Sequence, residues 1–184
     1  MEIGKVSESI LKRSVLKQIS SRRQEVITGP GIGEDCSIIE LKEDEVVVLS
    51  TDPITGTSKN MGTLAVHITG NDIATSGAEF IGIMLTILFP PGSTESDLKA
   101  LINEIEETCQ ELNIEILGGH TEVTDVVNQP VISITGIGKA KKDKVMQTSG
   151  VEAGQDIVMT KWAGLEGTSI IAYENEEELI KRFT

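Results

Sequence analysis

Four short acidic motifs hold the residues of this chain that are best suited to chemistry. They read Gly-Ile-Gly-Glu-Asp at 31–35, Ser-Thr-Asp-Pro at 50–53, Gly-Asn-Asp-Ile at 70–73 and Gly-Gly-His-Thr-Glu at 118–122. Each lies where a predicted strand or helix meets a loop. The fold could therefore bring five of their side chains together in one pocket, namely those of Asp35, Asp52, Asp72, His120 and Glu122. Carboxylates gathered in this way repel one another unless a cation neutralises them. Because Mg²⁺ takes oxygen ligands and usually binds together with phosphates, the motifs predict a nucleotide site with a metal.

Each motif by itself also has an ordinary structural explanation. The 31–35 motif is typical of a turn, and Asp52, which precedes a proline, suits a turn as well as a metal. Gly118 and Gly119 predict either an anion-binding turn of backbone N–H groups or a tight bend. Asp72 is more informative, because its neighbours are apolar and an unpaired buried carboxylate is costly. The alternative for Asp72 is a position on the surface of its helix.

The two histidines are predicted to differ. His120 lies between a glycine pair and Thr121, which favours a position facing a pocket. His67 lies between Val66 and Ile68 in a predicted helix, which favours a buried histidine with a hydrogen-bond partner. The chain contains neither Gly-x-x-x-x-Gly-Lys-Ser/Thr nor Gly-x-Gly-x-x-Gly, so a P-loop and a dinucleotide fingerprint are both excluded.

Composition narrows the class of protein. The chain has 184 residues, of which 39% are apolar, enough for a hydrophobic core. A net charge of -13 argues against nucleic-acid binding, because no basic surface is available for phosphates. The N-terminus lacks the pattern of a signal peptide, and the longest apolar run, 80–91, is too short to span a bilayer. A cytoplasmic protein without a membrane partner is expected.

The two cysteines predict no metal or disulfide framework. Cys36 and Cys109 are far apart in the sequence and show no Cys-x-x-Cys spacing. Cys109 lies on the apolar face of a predicted helix and is expected in the core. Cys36 follows Asp35 and could line the pocket, but a core position at the start of a strand is favoured.

Periodicity and turn residues predict the elements that position the motifs. Ser7 is expected to cap a first helix that ends near Ser20, and Pro53 is expected to break strand pairing. Thr94 and Asp97 form a capping box before a strongly amphipathic helix, and the 118–122 motif is expected to open a turn. The remaining predictions are strands at 36–41, 45–51, 80–89, 114–117 and 131–139, and a helix at 61–78.

This order predicts an α+β fold, β-α-β-α-β-β, with a mixed sheet backed by helices on one face. The other face of such a sheet stays uncovered, which predicts burial by a second subunit. Residues 1–150 are expected to form this domain. Residues 151–184, with a strand at 157–160 and a helix at 164–173, are predicted to begin an incomplete second α/β domain.

Longer stretches around the four motifs resemble a known family. Gly-Pro-Gly-Ile-Gly-Glu-Asp at 29–35, Ser-Thr-Asp-Pro-Ile-Thr-Gly at 50–56, Ala-Val-His-Ile-Thr-Gly-Asn-Asp-Ile-Ala at 65–74 and Gly-Gly-His-Thr-Glu-Val-Thr at 118–124 follow one another in the order and spacing of the aminoimidazole ribonucleotide (AIR) synthetase superfamily. The resemblance covers essentially all of 1–150 and is to the N-terminal, PurM-like domain. Within the superfamily it is closest to the hydrogenase-maturation members, and 160–168 resembles the opening of the family's second domain.

The resemblance implies a homodimer whose N-terminal sheets close into a barrel, with ATP and Mg²⁺ near the interface. The metal ligands that it implies are Asp35, Asp52, Asp72 and His120. The residues that it implies for the nucleotide are Gly33, Thr51, Asn71, Gly118, Gly119 and Thr121. Several relatives carry Asp where this chain has His120, which is expected to change the metal stoichiometry without abolishing binding. No catalytic residue is implied.

Two functions from different classes follow from the resemblance. The first is an ATP- and Mg²⁺-dependent enzyme that activates an amide or acyl oxygen by phosphorylation. The second is a dimerising nucleotide-binding module without turnover. A purely structural dimer would show neither binding nor turnover. The family's maturation enzyme acts on a C-terminal cysteine, whereas this sequence ends Lys-Arg-Phe-Thr, so as it stands it is not expected to perform that reaction. The second substrate, a small molecule or a protein thiol, is not indicated by the sequence.

Overall fold

A computed structural model describes residues 1–32, 38–54 and 60–183. It contains seven strands in this part of the chain, namely β1 (Gly4–Lys5), β2 (Val26–Thr28), β3 (Ile38–Ile39), β4 (Glu45–Ile54), β5 (Glu79–Phe89), β6 (Glu115–Val123) and β7 (Val131–Lys141). Five of them form one mixed sheet in the order β1-β6-β5-β7-β4, in which only β5 and β6 run parallel. Strands β2 and β3 form a separate antiparallel pair.

The helices of the described residues are α1 (Glu8–Leu11), which continues into a π-helical turn at Lys12–Leu16, α2 (Met61–Thr75), α3 (Glu95–Leu112), α4 (Leu165–Glu174) and α5 (Glu176–Phe183), with a 3₁₀ turn at Thr148–Gly150. Helices α2 and α3 cover one face of the large sheet, and the N-terminal helical segment packs on α3. The order β4-α2-β5-α3-β6-β7 confirms the predicted α+β fold. No helix among the described residues is long and apolar enough to cross a membrane.

The start, the end and the buried face of helix α3 follow from local features of its sequence. The Thr94 hydroxyl accepts a hydrogen bond from the Asp97 N–H, and the Asp97 carboxylate accepts one from the Thr94 N–H, so the predicted capping box is present. The helix ends at Asn113 in the left-handed conformation. Its fully buried apolar side chains are Leu98, Ile102, Ile105 and Cys109. Full burial of Cys109 confirms its predicted place in the core, and this burial raises the pKa of the thiol.

Helix α2 lies close to the sheet because two glycines of β7 leave room for it. A β-carbon on Gly136 would lie 2.4 Å from Cγ2 of Thr69, and one on Gly138 would lie 2.7 Å from Cγ2 of Ile73. Both distances are shorter than van der Waals contact, so a larger residue on β7 would push α2 away. This close packing also fixes where Asp72, which directly precedes Ile73 in α2, meets the neighbouring strand β4.

Two predictions about strand ends were wrong. Strand pairing continues through Pro53, which lies opposite Ser133 of β7. The ladder tolerates this proline because β4 is an edge strand, where a missing N–H need not face a partner. The glycine pair at 118–119 does not open a turn but lies within β6, paired in register with Met84 and Leu85 of β5. The turn prediction failed because Gly119, with a φ of 152°, serves a close approach between β6 and β5 and not a reversal of the chain.

Two further expectations differ from the structure. His67 is exposed on α2 rather than buried, because the helix face that carries it points away from the sheet. Residues 157–160, expected to be a strand, have no regular secondary structure. A strand needs a neighbour for its backbone hydrogen bonds, and none lies beside this segment among the described residues. Cys36 lies outside the described residues.

A charged network joins the residues just before β2 to the end of the large sheet where β5 begins. Glu25 accepts hydrogen bonds from Arg23, at 2.7 Å, and from Lys139 of β7, and Arg23 also donates to Glu79 of β5. The Arg23 side chain is 9% exposed and that of Glu25 18% exposed. The hydrogen bond from Arg23, aided by Lys139, lowers the pKa of Glu25 from 4.5 to about 2. The network is therefore an acid-sensitive contribution to folding.

Replacing Glu25 by glutamine is expected to lower stability at neutral pH but not at pH 2. Because the folded-state pKa of Glu25 is depressed, its contribution is fully present above pH 4.5 and is lost as pH falls toward about 2. With solvent screening of a partly exposed pair, the neutral-pH loss should be about 1–2 kcal/mol. Thermal unfolding of parent and variant between pH 2 and 7 measures this. A difference between the two that persisted at pH 2 would contradict it.

Candidate functional site

Asp52 and Asp72 form a carboxylate pair at the edge of the sheet. Side chains alternate along β4, so Ser50 and Asp52 both face α2, which carries Asp72. The Ser50 hydroxyl donates a hydrogen bond of 2.7 Å to Oδ2 of Asp72. A hydrogen bond with Asp72, partial burial and repulsion from that carboxylate together raise the pKa of Asp52, and Glu166 of α4 adds a smaller repulsion. Two acids held this close are neutralised either by a proton or by a cation.

The 118–122 motif forms part of β6 and presents its residues to both faces of the sheet. His120 lies on the face without helices, where its Nε2 is 2.9 Å from Oε2 of Glu122. Thr121 lies on the helix-covered face and is 7% exposed, and its carbonyl accepts a hydrogen bond from the N–H of Val6. Gly119 lies so close to β5 that a β-carbon there would be 1.9 Å from the carbonyl oxygen of Leu85. This position therefore requires glycine.

A cavity of about 880 Å³ opens between the N-terminal segment and strands β5 and β6. Its inner wall is aliphatic and includes Leu11, Val15 and Ile19 from the N-terminal helical segment and Ile87, Ile102 and Ile116 from the core. The rest of its lining includes residues 29–32, 118–121 and Thr135, of which His120, Thr121 and Thr135 have polar side chains. Predominantly apolar pockets with a few convergent polar groups are typical ligand sites.

The predicted residues fall into two groups rather than one pocket. In register across the sheet, Thr51 lies opposite Thr135, Thr135 opposite Met84, and Met84 opposite Gly118. Three interstrand spacings, about 14 Å, thus separate β4 from β6. The carboxylate pair lies on the helix-covered face and His120 on the other, so they do not share a metal here. Among the described residues, His120 therefore does not join the carboxylate pair in one pocket, because β5 and β7 lie between β4 and β6.

The remaining predicted residues are placed as follows. Gly118, Gly119 and Thr121 all line the cavity. Thr51 is exposed on the face of β4 without helices and accepts a hydrogen bond of 3.0 Å from the Thr135 hydroxyl. Asn71 is exposed on α2 next to Asp72. Gly33 and Asp35 lie outside the described residues. Within 1–32, 38–54 and 60–183, no three His, Cys, Asp or Glu side chains are arranged to hold a metal ion.

Two buried acids were missed by the sequence reasoning. Glu106 of α3 and Glu115 of β6 are 3% and 2% exposed. Glu106 lies within the apolar stripe of its helix, four residues after Ile102, and that placement was the available signal. Glu115 begins a strand that is otherwise apolar at its start, which gave no comparable signal.

Comparison with known proteins shows which family the sequence matches. The family model of the AIR synthase related protein, N-terminal domain, matches residues 33–140. A putative hydrogenase expression/formation protein of Methanocaldococcus jannaschii is 30% identical over 176 residues, which are 91% of this chain and 51% of that protein. The carbamoyl dehydratase HypE of Cupriavidus necator is 24% identical over 147 residues, which are 76% of this chain and 42% of HypE. The chain thus spans about half the length of these curated relatives.

A solved structure shows the same fold. The crystal structure of the hydrogenase maturation protein HypE in complex with ATP superposes with a TM-score of 0.65 at 22% identity, covering 78% of this chain and 43% of HypE. The fold is therefore that of a PurM-like N-terminal domain. The chain belongs to the AIR synthase related protein family.

Proposed function

We propose that this chain is an ATP- and Mg²⁺-binding domain, similar to that of HypE, of an enzyme that activates an amide or acyl oxygen by phosphorylation. The observation that carries the proposal is the close Asp52–Asp72 pair, in which a hydrogen bond with Asp72, together with burial and repulsion between the carboxylates, raises the pKa of Asp52. Carboxylate oxygens are the ligands that Mg²⁺ prefers, and a divalent cation relieves the repulsion. Family membership and the names of the relatives, which include a carbamoyl dehydratase, support the reaction class.

Each group of residues has its own part in the proposed site. Asp52 and Asp72 would hold the metal, and the Ser50 hydroxyl orients the Asp72 carboxylate. Bound Mg²⁺ supplies neutralisation of phosphate charge, which is the main requirement of phosphoryl transfer. The metal pair and the row of Thr51 and Thr135 lie on opposite faces of the edge strand β4, so a nucleotide whose phosphates bind the metal would have to pass around this edge to follow the row toward Gly118. The row leads across the sheet to the cavity, whose aliphatic wall would exclude water from the base or sugar. His120 and Glu122 lie at the end of this row and would contact polar groups there.

Calorimetry with Mg²⁺ and a non-hydrolysable ATP analogue, beside an assay for ADP release from ATP, tests the proposed function. Binding that requires Mg²⁺ is expected, and absence of binding would refute the proposal. Binding without ADP release in the presence of candidate amide substrates would favour the second candidate, a nucleotide-binding module without turnover.

We also propose that two copies of the chain pair through the sheet face that carries no helices. Val47 and Leu49 of β4, which are 49% and 64% exposed on that face, support this. Large apolar side chains on a sheet face normally lie against another layer. The pairing would place the Thr51–Thr135 row, and with it the proposed nucleotide site, beside the interface.

Replacing Leu49 by glutamate is expected to convert a dimer into a monomer, because a charge on this face would be buried without a partner. A stable interface of this kind should bury more than about 1,600 Å² in total. Multi-angle light scattering at micromolar concentration measures the mass. A parent protein that is monomeric under these conditions would contradict the pairing. Val151→Glu, at an exposed site outside the strands of the sheet, is the matched control.

Residues 151–184 are proposed to begin a second domain. None of the residues 151–183 is buried, and the exposed apolar side chains include Ile157, Val158, Trp162 and Ile171. A short segment without a second layer cannot offset its backbone entropy of about 1–2 kcal/mol per residue. We therefore expect the amides of 165–180 to exchange much faster than those of α3, measured by hydrogen exchange. Equal protection in the two segments would show that this region is an integral part of the first domain.

A further inference from the structure

Two buried glutamates hold residues 20–23 against the ends of α3 and β6. Buried carboxylates are normally paired or hydrogen-bonded, because an unpaired buried charge is costly. Glu106 and Glu115, which are almost fully buried, accept hydrogen bonds from one short stretch of chain, all of those to Glu106 on its Oε1. Oε2 of Glu106 is buried and has no hydrogen-bond partner among the described residues. Neither residue belongs to the carboxylate pair or lines the cavity.

Glu106 binds the first half of this stretch. Its Oε1 accepts hydrogen bonds from the backbone N–H groups of Ser20 and Ser21, at 2.9 and 2.8 Å. Both serine hydroxyls donate to the same oxygen, at 3.1 and 2.8 Å, and Gln110 donates at 3.2 Å. Burial by itself would raise the pKa of Glu106, but these hydrogen bonds hold it below its ordinary value. The ionised carboxylate of Glu106 therefore holds Ser20 and Ser21 in place.

Glu115 binds the second half and also touches the loop beyond it. Its Oε2 accepts a hydrogen bond of 2.8 Å from the N–H of Arg23, and its Oε1 lies 3.6 Å from Nη1 of Arg22. A β-carbon on Gly29 would lie 3.0 Å from the same Oε1, so the backbone of Gly29 rests against this carboxylate. Gly29 begins the loop 29–32 that bounds the cavity.

We propose that Glu106 and Glu115 are positioning residues that fix the loop 29–32 at the mouth of the cavity and thereby set the affinity of the site for nucleotide. The proposal rests on the proposed function for the identity of the ligand. Only the short connection 24–28 separates the anchored residues from the loop, so their positions are coupled. A loop that is already ordered loses less entropy when a ligand binds.

The first test needs no ligand. Glu106→Ala and Glu115→Ala leave the N–H groups of residues 20, 21 and 23 without acceptors, so amide exchange over 20–32 should be at least about tenfold faster. Exchange in β5 should not change. Glu107→Ala, an exposed acid on the same helix, removes the same charge and is the matched control. Exchange over 20–32 equal to that of the parent and the control would overturn the proposal.

The second test measures the dissociation constant for Mg²⁺ and a non-hydrolysable ATP analogue. Both alanine variants should bind at least about tenfold more weakly. Glu115→Gln keeps an oxygen acceptor for the Arg23 N–H and should restore most of the affinity. Faster exchange with unchanged affinity would overturn the positioning role, because a merely structural contact predicts that result.

Two further outcomes are also decisive. If the alanine variants do not fold, Gly29→Ala can be used instead, because its side chain would displace the Glu115 carboxylate from the loop. This variant should show both faster amide exchange over 20–32 and weaker nucleotide binding. Exchange and affinity equal to those of the parent would overturn the proposal. If the parent binds no nucleotide, the proposed function fails, and the exchange results alone decide whether the two glutamates position the loop.

Discussion

Replacing Gly119 by alanine is expected to abolish the native fold. A β-carbon at this position would lie 1.9 Å from the carbonyl oxygen and 2.8 Å from the carbonyl carbon of Leu85, both backbone atoms of the neighbouring central strand. Since the neighbouring backbone is fixed by its own ladder, strands β5 and β6 would have to separate. We expect a loss of more than about 4 kcal/mol, a large part of the stability of a typical domain. Loss of the cooperative thermal transition would show it.

Alanine substitutions at two other glycines distinguish the steric clash at Gly119 from the general effects of replacing a glycine. Gly92 has a φ of 93°, but a β-carbon at this position would have nothing within 4 Å, so Gly92→Ala should cost only about 1 kcal/mol of backbone strain. Gly150 has neither a left-handed conformation nor a close neighbour, and Gly150→Ala should be nearly neutral. A Gly119→Ala protein as stable as Gly92→Ala would mean that β5 and β6 adapt to the side chain.

Replacing Asp72 by asparagine is expected to have opposite effects with and without metal. In EDTA the variant should be more stable than the parent, because one of two repelling carboxylates has lost its charge. Addition of Mg²⁺ and an ATP analogue should stabilise the variant less than the parent, because the variant has lost a metal ligand. We expect the dissociation constant of the nucleotide to rise at least about tenfold, or about 1.4 kcal/mol. Calorimetry and thermal unfolding with and without ligand measure both effects.

The pH dependence gives the same pair a second, independent test. The pKa of Asp52 is raised in the folded protein, so protonation favours the fold at low pH and this contribution is lost as pH rises. Without metal, the stability advantage of Asp72→Asn should therefore shrink as the pH falls and Asp52 takes up a proton. Asp143→Asn, at an exposed site away from the pair, is the control for loss of a single charge. An equal advantage at all pH values would show that the two carboxylates do not interact.

Several elements followed from local sequence patterns. The Thr94–Asp97 capping box and the apolar spacing after it predicted α3, and the apolar run at 80–89 predicted the central strand β5. The small residues of 61–78 predicted a closely packed α2. These predictions succeeded because caps, turns and periodicity depend on residues within a few positions of one another.

Other features depended on contacts that local patterns do not contain. Pro53 was expected to end pairing, but whether a strand lies at an edge is set by the order of all the strands. The glycine pair of 118–119 was expected in a turn, but it lies in a strand whose close approach to Leu85 requires a residue without a β-carbon. The burial of Glu106 is stabilised by Ser20 and Ser21, which are more than eighty residues away in the sequence.

The sequence by itself determined the order of the helices and strands from β4 to β7, the resemblance of the motifs to the AIR synthase family and the acidic chemistry of the residues in them. The tertiary structure alone decided which of those residues meet. Helix α2 brings Asp72 to Ser50 and Asp52, whereas β5 and β7 lie between these acids and His120. The physical reason is that a motif fixes the chemistry of a few neighbouring side chains, while strand order and the face of the sheet fix their distances.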